Sequence, residues 1–251
     1  MKFTVSTLTV NQIKGIMVYN LFSIVRHSAQ QLSNNCSLCG LTTKLPGFCE
    51  PCLSSIQRRG DYCQQCGTPL AKLHINAICG QCLQQPPLYH TLIAATHYKF
   101  PVNRAISEMK FEKQLHHIRS FSNLLIEAVR NHYHNKELPQ AIIPIPLHPN
   151  RLRERGYNQS QLIAKHLTRR LHIPLLDQAL LRIKDTPHQI GLKAAERRKN
   201  LKQAFMIYQE LPKHIVLVDD VVTTGSTIQE ASKQCLKHGV KQIDVWCLAK
   251  T

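Results

Sequence analysis

The chain has 251 residues, of which 43% are hydrophobic, enough to bury one good core and a small second unit. Thirty-two Lys and Arg against fifteen Asp and Glu give a formal net charge of +17. A chain this basic attracts polyanions, so phosphorylated ligands and nucleic acid are the expected partners. The alternative is that the surplus lysine only keeps the protein soluble. The composition excludes a disordered chain.

Residues 1–35 are interpreted as an N-terminal extension. Lys14 and Asn20 interrupt any hydrophobic core of a signal peptide, and no small-residue cleavage site follows. No apolar run long enough to span a membrane occurs, so no membrane partner is expected. We therefore expect a cytoplasmic protein. Met17 is a candidate for the true start alongside Met1, because nothing before it carries a motif.

Eight of the ten cysteines form four CxxC pairs between residues 36 and 82. Two residues between thiolates let one tight turn aim both sulfurs at one ion, and two such turns complete a tetrahedral zinc site. We expect a double zinc ribbon over residues 36–87 with two structural zinc ions. Crossed pairings of the four motifs satisfy the same spacing. The simplest pairing joins neighbours and gives two ligand sets: Cys36, Cys39, Cys49 and Cys52, then Cys63, Cys66, Cys79 and Cys82.

Other roles for these cysteines fit the pattern less well. A disulfide framework belongs to an oxidising compartment, and a redox couple needs one CxxC motif, not four. Gly40, Gly67 and Gly80 directly follow a cysteine, where a knuckle turn often needs positive φ. The remaining thiols, Cys235 and Cys247, lie among apolar residues and are predicted to be core cysteines.

Apolar runs alternate with helical patterns after a linker at residues 85–87. Strands are predicted at 92–100, 141–146, 214–220 and 242–250. Helices are predicted at 101–111, 118–134, 158–171 and 226–238. This alternation is typical of a mostly parallel sheet with helices on its faces, so residues 88–251 are expected to form a second, α/β domain. Ligands of such sheets bind beyond the carboxyl ends of the strands.

The stretch HIVLVDDVVTTGST (214–227) puts two carboxylates at the end of a predicted buried strand. Asp219 and Asp220 repel each other when uncompensated, and two adjacent carboxylates can accept hydrogen bonds from the vicinal hydroxyls of a ribose. A small-residue turn then runs into a helix, so backbone amides, hydroxyls and the positive helix end converge on a phosphate. An N-cap on an ordinary helix is the alternative, but it does not explain two aspartates. The turn consists of Thr223, Thr224, Gly225, Ser226 and Thr227.

This stretch resembles the phosphoribosyl pyrophosphate (PRPP) binding motif of type I phosphoribosyltransferases. In that motif an apolar strand leads to two acidic residues and a TG[ST] phosphate turn. The resemblance implies that Asp219 and Asp220 bind the ribose hydroxyls and that residues 223–227 bind the 5′-phosphate. Magnesium is the expected cofactor, because it offsets the charge of PRPP.

Two further segments, 144–167 and 186–205, are similar to those of the ComF/GntX family of competence and DNA-utilisation proteins. They contain RGYNQ and the spaced residues Gln189, Leu192, Arg197 and Asn200. With the zinc segment, the resemblance covers residues 36–250. It implies a type I phosphoribosyltransferase-like parallel sheet flanked by helices, preceded by a small double zinc-ribbon domain. It also implies a role in handling internalised single-stranded DNA during natural transformation, with other competence or recombination proteins as further partners.

Two basic groups are candidate contacts for a diphosphate or for DNA. Arg151, Arg153 and Arg155 follow the strand at 141–146, and guanidinium groups bind pyrophosphate in bidentate geometry. A second group lies on a predicted helix and attracts single-stranded DNA, with a solvated helix face as the alternative. This group consists of Lys193, Arg197, Arg198 and Lys199.

Two functions stay open at this point. One is an enzyme that transfers phosphoribose to a base or an amine. Purine-salvage relatives have an aspartate where this chain has Thr223, and that carboxylate serves them as general base, although pyrimidine-type relatives also carry threonine there. The other is a binding module whose PRPP pocket senses a ligand or holds a DNA phosphate terminus. We favour a role in DNA handling and leave catalysis open.

Overall fold

The computed structural model describes residues 35–43, 47–57, 61–70, 77–185 and 201–251. Among these residues, none of the helices has the length and apolar character that crossing a membrane requires. The helices are α1 (Glu50–Ile56), α2 (Gly80–Gln84), α3 (Val102–Phe111), α4 (His116–His132), α5 (Pro149–Arg155), α6 (Gln159–Leu171) and α7 (Ser226–Lys237). The strands are β1 (Thr91–His97), β2 (Ala141–Pro144), β3 (Leu180–Arg182), β4 (Phe205–Ile207), β5 (His214–Val222) and β6 (Gln242–Lys250).

Four of the strands form a parallel sheet in the order β1-β6-β5-β2. Residues 174–176 extend it at the β2 edge, where the Ile142 amide donates to the Pro174 carbonyl at 2.8 Å and the Leu176 amide to the Ile142 carbonyl at 2.9 Å. The central strands β5 and β6 are buried on both faces, which is why they read as continuous apolar runs. The predicted parallel sheet with flanking helices is confirmed.

Helices cover both faces of this sheet. Val216 and Val218 of β5 pack with α3, α4 and α6, whereas Ile215 and Leu217 pack with α7 and the antiparallel pair β3–β4. Successive strand residues point to opposite faces, so β5 contributes to two separate cores. Cys235 and Cys247 are buried in the second core, as predicted.

The observed elements differ from the predicted ones mainly at their ends. β1 stops at His97 instead of residue 100, and β5 continues to Val222, so the two acids lie within the strand and not at its last position. Helix α5 was not predicted, because its 7 residues form only about two turns, which is too short for a helical period to show in the sequence. It begins with Pro149 and ends at Arg155, and Gly156 follows with a φ of 84°, which suits glycine.

Candidate functional site

The eight clustered cysteines form two groups of four, and each group joins neighbouring CxxC pairs as predicted. Within a group the sulfur atoms all lie within 4.8 Å of one another. The Cys39 and Cys49 sulfurs are 3.7 Å apart, and those of Cys66 and Cys79 are 3.6 Å apart. Four sulfurs held tetrahedrally about 2.3 Å from a zinc ion lie about 3.8 Å from one another. The donor set and its spacing therefore fit structural zinc at both sites.

Each group is built from one knuckle and one helix start. In the knuckles, the Gly40 amide donates to the Cys36 carbonyl at 2.9 Å and the Gly67 amide to the Cys63 carbonyl at 2.8 Å. Both glycines have the expected positive φ, 75° and 71°. The prediction for Gly80 is wrong, because this residue begins α2 with Cys79 as its N-cap. A cysteine at a helix start needs no left-handed residue after it.

The two zinc-binding units contact different parts of the α/β sheet. We call residues 35–57 the first ribbon and residues 61–85 the second ribbon. The first packs against α4, where the Phe48 and Phe121 ring centroids are 5.0 Å apart and the Ser120 hydroxyl donates to that of Ser37 at 2.9 Å. The second is joined to β1 by the Leu92 amide, which donates to the Gln64 carbonyl at 2.9 Å.

The two acids of β5 have partners that offset their mutual repulsion. Asp219 accepts hydrogen bonds from the Ser160 hydroxyl and the Asp220 amide, both at 2.9 Å. Asp220 forms an ion pair with the Lys110 ammonium at 3.0 Å. Sequence reasoning missed Lys110, because nothing in its local pattern on α3 indicates which strand it faces.

Burial and repulsion from Asp220 raise the pKa of Asp219 to about 7, although Lys110 and the Ser160 hydroxyl act to lower it. Burial alone lowers the pKa of Lys110, but attraction to Asp220 and Asp219 outweighs it, and the net shift is upward. The lysine is therefore charged at neutral pH. The two carboxylates together carry less than their full charge while no ligand is bound.

Replacing Asp219 with asparagine should stabilise the ligand-free protein at pH 8 but not at pH 4. The pKa of this group is raised by folding, so between about pH 4 and 7 the folded state keeps a proton that the unfolded state releases, and stability falls as pH rises. Asparagine removes that penalty while its oxygen still accepts from Ser160. We expect a gain of the order of 1 kcal/mol at pH 8, or about 2–4 °C in Tm, measured by thermal unfolding.

Lys110→Met should have the opposite effect, because it leaves the acid pair without its counter-ion. Its loss of Tm should be larger at pH 8 than at pH 5, where Asp219 is protonated. Lys113→Met is the control, because Lys113 is an exposed lysine three residues further along the chain. Equal pH profiles for all of these proteins would contradict the raised pKa.

A small cleft of about 160 Å³ lies beside this ion pair. Its basic side chains come from α3, from the chain just after α3 and from α5. Residues 151 and 155 are four apart and share one face of α5. Arg153 lies outside the cleft and donates to the Asn150 side chain. Of the three predicted arginines, the fold thus brings together Arg151 and Arg155. We call this the basic cleft; its lining is Lys110, Phe111, Lys113, Arg151, Glu154 and Arg155.

The RGYNQ motif at residues 155–159 fixes the positions of side chains in and beside this cleft. Arg155 donates to the Gln159 side chain at 2.7 Å, and its guanidinium carbon lies 5.7 Å from the Phe111 ring centroid. Asn158 caps α6 by accepting from the Ser160 amide at 3.1 Å, and it donates to the Ile145 carbonyl at 3.0 Å. The motif therefore holds Arg155 in the cleft and places Ser160 against Asp219.

The predicted phosphate turn, residues 223–227, leads directly into α7 and is called here the TTGST turn. Gly225 has a φ of 75°, and the Thr224 and Ser226 hydroxyls are hydrogen-bonded at 2.9 Å. The Lys250 ammonium donates to the Thr223 carbonyl at 3.1 Å, a contact that the sequence did not reveal.

A cavity of about 300 Å³ separates this turn from the second ribbon, and we call it the ribbon cavity. One wall belongs to the turn, to α7 and to the end of β6. The opposite wall belongs to the second ribbon and the chain that follows it. The lining residues are Cys66, Thr68, Gln81, Cys82, Gln85, Pro87, Tyr89, Val222, Thr223, Thr224, Gly225, Gln229 and Lys250.

The second predicted basic group lies outside the described residues. So do the four spaced residues of the segment 186–200 on which the family resemblance partly rested. The basic group is Lys193, Arg197, Arg198 and Lys199, and the spaced residues are Gln189, Leu192, Arg197 and Asn200.

The fold and site together define a class: a parallel α/β protein with a paired acid and phosphate-type turn at the sheet, preceded by two four-cysteine units. No family model matches the chain. It is 41% identical over 210 residues to Competence protein F of Haemophilus influenzae, covering 81% of this chain and 90% of that protein. It is 36% identical over 223 residues to DNA utilization protein YhgH of Escherichia coli K12, covering 86% and 96%. The chain therefore belongs to the ComF family.

One further relative and one solved structure are more distant. Competence protein ComFC of Bacillus subtilis is 25% identical over 201 residues, which is 76% of this chain and 78% of that protein. Among solved structures, a purine phosphoribosyltransferase from Pyrococcus horikoshii covers 52% of this chain and 70% of its own at 23% identity. Its TM-score of 0.33 is too low to support a conclusion.

Proposed function

We propose that this chain binds PRPP together with magnesium, and that it acts in the cytoplasm in the handling of internalised single-stranded DNA. One observation carries the proposal: the acid pair lies near the end of β5, the TTGST turn follows directly after that strand, and a cavity opens beside each of them. Ribose hydroxyls would donate to Asp219 and Asp220. The 5′-phosphate would accept from the amides and hydroxyls of the turn.

The basic cleft supplies the charge that a diphosphate requires. Arg151 and Arg155 would bind it, and Lys110 could exchange Asp220 for a diphosphate oxygen once the ribose occupies the acids. Magnesium prefers carboxylate and phosphate oxygens, so Asp219, Asp220 and the diphosphate are its expected ligands. Bound there, it would neutralise part of the substrate charge.

DNA contact is proposed for the same basic cleft. Single strands bind where a positively charged groove carries aromatic rings on which bases stack. Phe111 is 63% exposed and lies between Lys110 and Lys113, with Arg155 against its ring. The names of the relatives, competence and DNA utilization proteins, agree with a DNA-handling role, as does the net charge of +17. Other competence or recombination proteins are proposed as partners.

A catalytically active phosphoribosyltransferase is the second candidate, because a PRPP site is the first requirement of that reaction. A transferase also needs a group that deprotonates the acceptor. Among the described residues lining the ribbon cavity, none is a carboxylate or a histidine, and Thr223 stands where purine-salvage relatives have an aspartate. This observation favours binding over transfer.

The two candidates are separated by titrating PRPP with magnesium into the zinc-loaded protein and then assaying pyrophosphate release with a panel of bases and amines. Binding without release supports the binding module, release above background supports the enzyme, and failure of PRPP to bind removes both. A parallel titration with single-stranded DNA should weaken steeply with salt. Phe111→Ala should weaken DNA binding more than Phe100→Ala, since both rings are exposed but only Phe111 lines the cleft.

A further inference from the structure

The ribbon cavity has two chemically different walls. One is the TTGST turn, which offers hydroxyls and the start of α7 to a phosphate. The other is the second ribbon, which offers the amide side chains of Gln81 and Gln85. Gln85 directly follows the last residue of α2, and its backbone amide donates to the Gln81 carbonyl at 2.8 Å, so the two glutamines lie one turn apart at the end of this helix. An amide carries both a donor and an acceptor, so a pair of them can read the edge of a nucleobase.

Both walls also carry apolar surface. Val222, Pro87 and Tyr89 line the cavity beside the turn and offer a place for the face of a planar ring. The volume of about 300 Å³ is at the lower end of the range for small-ligand pockets, about 300–1,000 Å³. It suits one nucleotide unit and not a length of strand.

The second ribbon is fixed relative to the turn. The Leu88 amide donates to the Gln229 side chain of α7 at 3.0 Å, and the Leu92 amide holds Gln64 of the knuckle at 2.9 Å. Tyr89 is buried, and its hydroxyl lies near Gly225, within 3.7 Å of where a Cβ would be. The cavity walls therefore form a preorganised site.

The two ribbons differ at the positions that face this cavity. In α1 of the first ribbon, the residues that correspond to Gln81 and Gln85 are Pro51 and Ser55, counted from the helix start. The first ribbon packs against α4 and lines no part of the cavity. The pair of glutamine side chains thus occurs in the ribbon that lines the cavity and has no counterpart in the ribbon that does not.

We propose that the ribbon cavity binds a nucleotide, with its phosphate at the TTGST turn and its base against Gln81 and Gln85 of the second ribbon. The ligand is a free nucleoside 5′-monophosphate or the 5′-phosphorylated end of a DNA strand, which share this chemistry. The inference rests on the proposed function, since both place a phosphate at the turn. It adds that a zinc ribbon recognises the base.

The test uses full-length, zinc-loaded protein and calorimetric titration with deoxyadenosine 5′-monophosphate, thymidine 5′-monophosphate and inorganic phosphate. The variant Gln81→Ala with Gln85→Ala should weaken binding of at least one nucleotide about tenfold or more, because it removes two base contacts. Binding of inorganic phosphate should not change. Gln84→Ala is the matched control, because Gln84 is another exposed glutamine of α2 and does not line the cavity.

A 5′-phosphorylated oligonucleotide and its 5′-hydroxyl counterpart distinguish the two sources of ligand. Tighter binding of the phosphorylated strand, lost in the double variant, identifies a strand end; binding of the mononucleotides alone identifies a free nucleotide. The proposal is overturned if the double variant binds every nucleotide as the wild type does, or if phosphate alone binds as tightly as the nucleotides. A parallel titration with PRPP tests the proposed function separately. If the wild type binds PRPP, the nucleotide titrations of the double variant decide only the base contacts; if the wild type does not bind PRPP, the proposed function fails, whatever the result with the glutamine variant.

Discussion

The double substitution Asp219→Asn with Asp220→Asn should weaken PRPP binding at least 100-fold while leaving the fold intact. Hydrogen bonds from hydroxyls to a carboxylate contribute about 1.5–3 kcal/mol each, and the double variant loses this charge assistance twice. Asparagine has nearly the same shape, and its oxygen can still accept from Ser160. Calorimetric titration of PRPP with magnesium measures the affinity, and circular dichroism with a zinc assay checks the fold.

Asp177→Asn is the control for a charge change in the same domain. Asp177 accepts from Gln161 at 3.0 Å and lines neither the basic cleft nor the ribbon cavity, so its loss should leave PRPP affinity unchanged. Unaltered affinity in the double variant would place the ligand elsewhere. Because Asp219→Asn is also expected to stabilise the free protein at pH 8, the carboxylate of Asp219 would be kept for the ligand at a cost in stability.

Removing zinc from the second ribbon should weaken PRPP binding about tenfold or more, whereas removing it from the first should have little effect. A four-thiolate site contributes roughly 10–16 kcal/mol of apparent binding energy to a fold this small, so one lost ligand unfolds its ribbon. Cys82→Ser unfolds the second ribbon, which forms the wall of the ribbon cavity opposite the TTGST turn. Cys52→Ser unfolds a unit that packs on α4.

Metal content and affinity are read from the same preparations. Each variant should hold close to one zinc ion per chain against two in the wild type. Equal losses of PRPP affinity in both variants would show that the ribbons act only through overall stability. Two ions retained in either variant would contradict the ligand sets.

Local patterns in the sequence were sufficient to predict the central strands of the sheet and the four-cysteine sites. The apolar runs at 214–220 and 242–250 became β5 and β6, because strands buried on both faces contain little else than apolar residues. The CxxC spacing predicted two four-cysteine sites, since a four-residue turn fixes where two sulfurs point, and the simplest pairing, of neighbouring motifs, is the one observed. In such cases the determining interactions lie within a few residues.

Features that depend on distant contacts were not predictable in this way. Lys110 and Asp220 are far apart in the chain, and only the packing of α3 against the sheet brings them together. β3 and β4 pair across 22 intervening residues, and each is too short to stand out. The second ribbon's position beside the TTGST turn is likewise a consequence of tertiary structure, and no spacing rule encodes it.

The ion pair at Lys110 also affects how a ligand would approach. Two unpaired carboxylates would repel an approaching polyanion. Here the Lys110 ammonium neutralises the charge of Asp220, and the raised pKa of Asp219 leaves that group partly protonated at neutral pH. The remaining charged side chains of the basic cleft are three cations, Arg151, Arg155 and Lys113, and one carboxylate, Glu154, so the cleft is net positive beyond contact distance. A sugar diphosphate would thus be drawn inward by long-range attraction, and it would meet the acids' charge only when its hydroxyls were already in reach.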